Sequence, residues 1–174
     1  MGFIDEALKS NEHYANNFSL GELPKPPARK LAIVGCMDAR LSFEPMLGLK
    51  TGDAHVIRNA GGIVTEDALR SLLISHYLLG TDEFMIINHT DCGMLGLKDN
   101  ELLARLEDET GTAAFSPEQF HGFPNLEENV RRQMKKLRSH PWIPKPIPIR
   151  GFVYDVKTAR LSEVAMERAN RAGD

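Results

Sequence analysis

Residues 31–40 read LAIVGCMDAR: a short apolar run that ends on a thiol, an acid and a guanidinium, set two residues apart. Two later stretches share the same body, HVIRN at 55–59 and FMIIN at 84–88. Short, β-branched, nearly continuous apolar runs suit strands covered on both faces, as in a parallel sheet. Between the second and third runs lies TEDALRSLLISHYLLG, at 65–80. Thr65 can cap it, Glu66 and Asp67 suit its first turn, and Gly80 stops it. Leu69, Leu72, Leu73 and His76 share one face. A second helix is expected from Asn125 to about Ser139, with Asn125 and Glu128 as a capping box and Leu126, Val130, Met134 and Leu137 as its apolar face. RGFVYDV, at 150–156, reads as a further strand that turns through Lys157 and Thr158 into a last short strand or arm. Strands alternating with helices predict an α/β fold with a mainly parallel central sheet flanked by helices. Residues 96–124 show no legible pattern, and no internal repeat is present.

The chain has 174 residues, which predicts a single domain over 1–174. At that size the core needs no disulfide. A net charge of −3 with no basic stripe argues against a nucleic-acid partner. The opening MGFIDEALKSNEHY lacks the basic and apolar regions of a signal peptide, and Glu6 breaks a myristoylation pattern after Gly2. The apolar runs fall short of the ~18 residues that a membrane span requires. The expectation is a cytoplasmic protein with no membrane partner. Within residues 3–18, Ile4, Leu8, Ala15 and Phe18 form one helical stripe, and the proline-rich GELPKPPARK, at 21–30, separates it from the rest. Such a helix either packs on its own domain or reaches a second subunit.

There are two cysteines, Cys36 and Cys92. Without a secretion signal a disulfide is disfavoured, which leaves buried thiols or metal ligands. The third apolar run ends NHTDCGM, placing His89 and Cys92 three residues apart with Gly93 next. Sites in open α/β sheets form beyond the carboxyl ends of strands where the strand order switches, so Cys36 can meet His89 and Cys92 there. Two thiolates and an imidazole suit zinc. Three ligands leave a fourth position open, as catalysis requires; alternatively Asp38 closes it and the site is a structural staple. Other chemistries fit less well. A phosphatase-type loop needs five residues between Cys and Arg, and Cys36 and Arg40 have three. No C-x-x-C redox pair is present, and RNAGG (58–62) is not G-x-G-x-x-G.

CMDAR, AHVIRNAGG and NHTDCGM, in this order, closely resemble the β-class carbonic anhydrases, above all the short, single-domain microbial members. The resemblance runs from about Leu31 to Gly96 and more loosely to the end. The family pattern C-x-D-x-R with H-x-x-C-G is complete, with Ala39 where many members have serine. The resemblance implies one zinc ion per subunit on Cys36, His89 and Cys92, with Asp38 and Arg40 as a catalytic dyad. It implies a dimer or dimer of dimers, with residues 1–30 as an arm that embraces the partner. The implied reaction is reversible hydration of CO2 to bicarbonate, zinc lowering the pKa of its water towards neutrality. Two thiolates weaken the metal as a Lewis acid, so the rate is expected to rise on the alkaline side of neutrality. Asp38 would orient the nucleophile, Arg40 would keep Asp38 ionised, and the Gly93 N–H would donate to a substrate oxygen. Gly61 and Gly62, with Ala60, either line the pocket or only make a tight turn.

Carbonyl sulfide and carbon disulfide are alternative substrates of the same shape, and a catalytically silent zinc protein is a further alternative that an intact dyad disfavours. Some members carry an inhibitory bicarbonate pocket with a tryptophan; the position of Trp142 in HPWIPKPIP argues against it here. His76 reads as a packed histidine, Asp91 as a turn former, and Arg58 and Asn59 as residues that order the site from behind. Nothing selects His13, His55, His121 or His140 as a proton relay.

Overall fold

The structure is a computed structural model and describes residues 2–113, 116–117 and 119–166. Five strands form one sheet: β1 (Leu31–Cys36), β2 (Ala54–Asn59), β3 (Glu83–His89), β4 (Ile149–Tyr154) and β5 (Leu161–Val164). Their order is β2-β1-β3-β4-β5. The first four are parallel, and β5 returns antiparallel to β4. The chain passes from β1 to one side and then back to the other, so the order switches between the carboxyl ends of β1 and β3. In-register pairing of Gly35 with Ile87 sets those two ends side by side.

The helices are α1 (Phe3–Asn16), α2 (Phe43–Leu47), α3 (Glu66–Leu79), α4 (Asp99–Thr110) and α5 (Leu126–Ser139). The Thr65 hydroxyl accepts the Ala68 N–H, and Gly80 ends α3 in the left-handed region at φ 73°. At α5 the side-chain Oδ1 of Asn125 accepts the Glu128 N–H at 2.9 Å. Both helices therefore begin where their capping residues stand, and α3 stops at its glycine. None of the described helices is long and apolar enough to cross a membrane.

Strand alternation divides the interior. Ala32, Val34, Phe84 and Ile86 meet Leu69 and Leu72 of α3 and Val130, Met134 and Leu137 of α5, all buried in one cluster. Gly151 lets α5 lie against β4, because a Cβ there would overlap Val130 and Met134. The opposite face holds Ile33 and Ile87 under Phe43 and Phe123. A Cβ on Gly35 would occupy the Phe43 ring. This second face is less well covered, since Leu31, Val56, Met85 and Phe152 are only partly buried. The apolar runs predicted strands covered on both faces; in the isolated chain one face is sealed and the other is partly open.

The stretch that carried no legible pattern contains α4, whose carboxylate Asp99 accepts the N–H groups of Phe120, His121 and Gly122. A bridge between Leu95 and Phe123 then ties the segment after Cys92 to the start of α5. Parity decides what β3 offers to each side. Asn88 points with Phe84 and Ile86 towards α5, and His89 points with Ile87 to the other face.

Candidate metal centre

Cys36 ends β1, His89 ends β3, and Cys92 follows in the turn after β3. Their ligand atoms all lie within 4.8 Å of one another, and all three residues are buried. The two sulfurs are 4.0 Å apart. Two thiolates at ~2.3 Å from one tetrahedral ion would stand about 3.8 Å apart, so this pair is already close to that spacing. His89 Nδ1 lies 2.9 Å from the Thr90 carbonyl, which can only accept, so Nδ1 carries the proton and Nε2 the lone pair. Nε2 is buried and has no hydrogen-bond partner among the described residues. A buried, unpartnered nitrogen beside two sulfurs is an expensive arrangement unless a cation takes its lone pair.

The protonation chemistry agrees. The hydrogen bond from Cys92 outweighs burial and pushes the Cys36 thiol down, while Cys36 and burial push Cys92 up. Burial disfavours the His89 imidazolium, yet the Cys36 sulfur and its charge drive the net shift upward. The three groups compete for protons that a divalent ion would displace from all of them.

Asp38 and Arg40 stand beside this triad. Asp38 Oδ1 accepts the Arg40 backbone N–H and Nε–H, both at 2.9 Å, and Oδ2 accepts Nη2–H at 2.8 Å. These hydrogen bonds hold the Asp38 carboxyl well below the usual carboxylate range. Its Oδ2 is 3.7 Å from His89 Nε2. With both oxygens committed to Arg40, the carboxylate is drawn away from a ligand's role. Arg58 supports the same loop, donating from Nε to the Cys36 carbonyl and from Nη2 to the Asp38 carbonyl, with its guanidinium over the Phe43 ring. Asn59 clamps the next turn by exchanging two hydrogen bonds with Ile63.

Gly61 (φ 80°) and Gly62 (φ 62°) form a buried corner after β2. A Cβ on Gly62 would lie 2.8 Å from Asn88 Nδ2 and 3.0 Å from the Cys36 nitrogen, so only glycine fits. Gly93 has open space around its Cα. Asp91 is in the left-handed region at φ 55°, as a turn former would be. It also accepts Arg40 Nη1–H, a second role for which no local spacing gave a signal. The amide chain Asn88–Asn129–Gln133 behind the corner also escaped the sequence reading; a polar Asn88 inside FMIIN was its one visible trace. His55 and His76 sit at the other end of the sheet, paired with Ser75 and the Thr81 carbonyl.

A family model described as carbonic anhydrase matches residues 31–161. The chain belongs to the β-carbonic anhydrase family. It is 47% identical over 165 residues to Beta-carbonic anhydrase 1 of Mycobacterium tuberculosis, covering 94% of this chain and 99% of that protein. A crystal structure of a carbonic anhydrase from Streptococcus mutans superposes with a TM-score of 0.89 at 42% identity, covering 95% of this chain and 99% of that one. A carbon disulfide hydrolase of an Acidianus species is 37% identical over 183 residues, covering 91% and 87%. The three strand-end motifs all lie within the span that the family model matches.

Proposed function

We propose that this chain is a β-class carbonic anhydrase that hydrates CO2 reversibly to bicarbonate and a proton, with one zinc ion held by Cys36, His89 and Cys92. The observation that carries the reading is the unpartnered Nε2 of buried His89, facing two thiols next to a carboxylate locked to a guanidinium. Zinc in that position supplies the Lewis acidity that lets water act as a nucleophile near neutral pH.

The side chains do the rest. Asp38, kept ionised by Arg40, accepts a hydrogen bond from the attacking water and so aims its lone pair at the carbon of CO2. Arg40 fixes both carboxylate oxygens and prevents Asp38 from swinging into the fourth ligand position. The Gly93 N–H donates to a substrate oxygen, with Gly61 and Gly62 forming the wall behind it. Water plus CO2 becomes bicarbonate, and the released proton leaves to solvent.

Carbonyl sulfide or carbon disulfide hydrolysis is the second reading, favoured by the 37% identical carbon disulfide hydrolase. The 47% identity to a β-carbonic anhydrase over nearly the whole chain favours CO2. Stopped-flow CO2 hydration, run beside sulfide release from both sulfur substrates on one preparation, ranks them. Faster sulfide release than CO2 hydration at matched concentration would reverse the assignment.

We also infer that the single domain works in the cytoplasm as a dimer or dimer of dimers. Helix α1 buries none of its side chains, and Phe3, Ile4 and Leu8 are exposed along it. A second copy of this chain is the occupant that suits that stripe, because the same molecule also leaves one sheet face partly open.

A further inference from the structure

We propose that Asn88, Asn129 and Gln133 form a positioning relay that holds the Gly61–Gly62 corner against the backbone of Cys36 and so fixes the direction in which that residue's sulfur points. The inference rests on the reading of Cys36 as a zinc ligand. It adds three residues that touch neither metal nor substrate.

All three amide side chains are buried, with exposures of 1% for Asn88, 2% for Asn129 and 3% for Gln133. Buried amides are tolerated only when their donors and acceptors are matched. Here the matching runs in one direction along the whole chain. The Val64 N–H can only donate, and it meets Gln133 Oε1 at 2.9 Å. Gln133 Nε2 must then face onward, and it donates to Asn129 Oδ1 at 2.9 Å. Arg132, also only a donor, reaches the same oxygen at 2.7 Å from the exposed side. Asn129 is thereby oriented with Nδ2 towards Asn88 Oδ1, at 2.7 Å. Asn88 is left to present Nδ2 to the carbonyls of Gly61 and Gly62, at 2.9 and 3.3 Å. Carbonyls can only accept, so both ends of the relay dictate the same amide orientations.

The last link reaches the metal centre. The two glycines hold positive φ, and Gly62 is wedged between Asn88 and the backbone at Cys36. Fixing their carbonyls fixes the peptide planes of the corner, and with them the backbone of Gly35 and Cys36 against which Gly62 packs. Support behind a metal ligand fixes its orientation and tunes the metal it binds. Strand parity makes the device possible: Asn88 and His89 are neighbours on β3 but face opposite sides, so one strand end serves both the relay and the ligand set.

Asn129→Asp tests the relay. It keeps the shape and the acceptors for Gln133 and Arg132 but removes the donor that Asn88 Oδ1 requires. The variant should still take up one zinc per chain. It should release zinc to a chromophoric chelator roughly 10–100-fold faster than wild type, the usual range for losing support behind a ligand. In cobalt-substituted protein the sulfur-to-metal absorption band should move. Leu137→Ala is the comparison, being buried on the same helix but outside the relay; it should lose stability and leave both readouts unchanged. Unchanged release and an unmoved band in Asn129→Asp overturn the relay, and so does an equal change in Leu137→Ala. Should Asn129→Asp not fold, Gln133→Glu decides on the same two readouts, because it keeps the acceptor for Val64 and removes the donor to Asn129 Oδ1. Zinc release and a cobalt band both unchanged in that variant overturn the proposal. A wild type that binds no zinc overturns the metal reading along with the relay, whereas bound zinc with an unperturbed variant removes the relay alone.

Discussion

Arg40 and Asp91 are joined twice: Nη1 donates to Asp91 Oδ2 at 2.7 Å and Nη2 to the Asp91 carbonyl at 2.9 Å. Arg40 follows β1 and Asp91 lies between His89 and Cys92, so this contact locks the strand end that carries Cys36 to the one that carries His89. The same guanidinium grips Asp38. Arg40, paired with Asp38, is thus also the hub of a three-residue clamp that takes in Asp91.

The exposed Asp91 carboxylate is the weaker arm of that clamp, because water screens it and the backbone carbonyl remains when it is removed. Asp91→Asn should therefore lower kcat by only about 3–10-fold, with zinc content unchanged by atomic absorption. A loss as large as that of an Asp38 variant would mean that Asp91 acts on the substrate directly.

Asp38→Ala should lower turnover by about 10²–10³-fold, the range for removing a group that acts on the reacting atoms. Zinc should remain at one per chain, since both carboxylate oxygens are engaged by Arg40. Metal loss in this variant would identify Asp38 as a fourth ligand and the site as a structural staple.

Removing the metal tests the ligand set from the other side. Prolonged dialysis against a strong chelator should abolish hydration and lower Tm, and added zinc should restore both, because an ion that binds only the folded state stabilises it by mass action. Cys36→Ser should weaken zinc retention in the same assay.

Asp99 provides a pH signature far from the chemistry. Burial opposes its ionisation, but the N–H groups of Phe120, Gly122 and His121 prevail and hold its carboxyl below its ordinary value of 3.8. A depressed folded-state pKa means that its contribution is present above about pH 4 and is lost as pH falls through the lowered value. Asp99→Asn should therefore reduce Tm at pH 7, with the gap to wild type narrowing as the pH falls below about 4. A gap independent of pH would assign the loss to hydrogen-bond geometry alone.

Replacing Phe3, Ile4 and Leu8 together with serine should shift the assembly towards monomer in light scattering at micromolar concentration. The far-UV dichroism of the core should persist. An unchanged oligomer would place the interface elsewhere, on the sheet.

What LAIVGCMDAR, HVIRN and FMIIN determine by themselves is local and chemical. Apolar runs of five mark parallel strands, Thr65 and Asn125 mark helix starts, and the donor types Cys36, His89 and Cys92 name a soft-ligand site before any coordinate is known. These features follow from periodicity and residue type, which act over a few residues. The structure decided what depends on distant segments being packed together. It brought Cys36 within 4.0 Å of Cys92 across 56 residues and gave Arg40 its second carboxylate. It built α4 in a stretch whose anchor, Asp99, caps a loop more than twenty residues away. It also turned Asn88 towards Asn129 while its neighbour His89 faced the sulfurs, because adjacent strand residues face opposite sides and only the packed helix α5 supplies the partner for one of them.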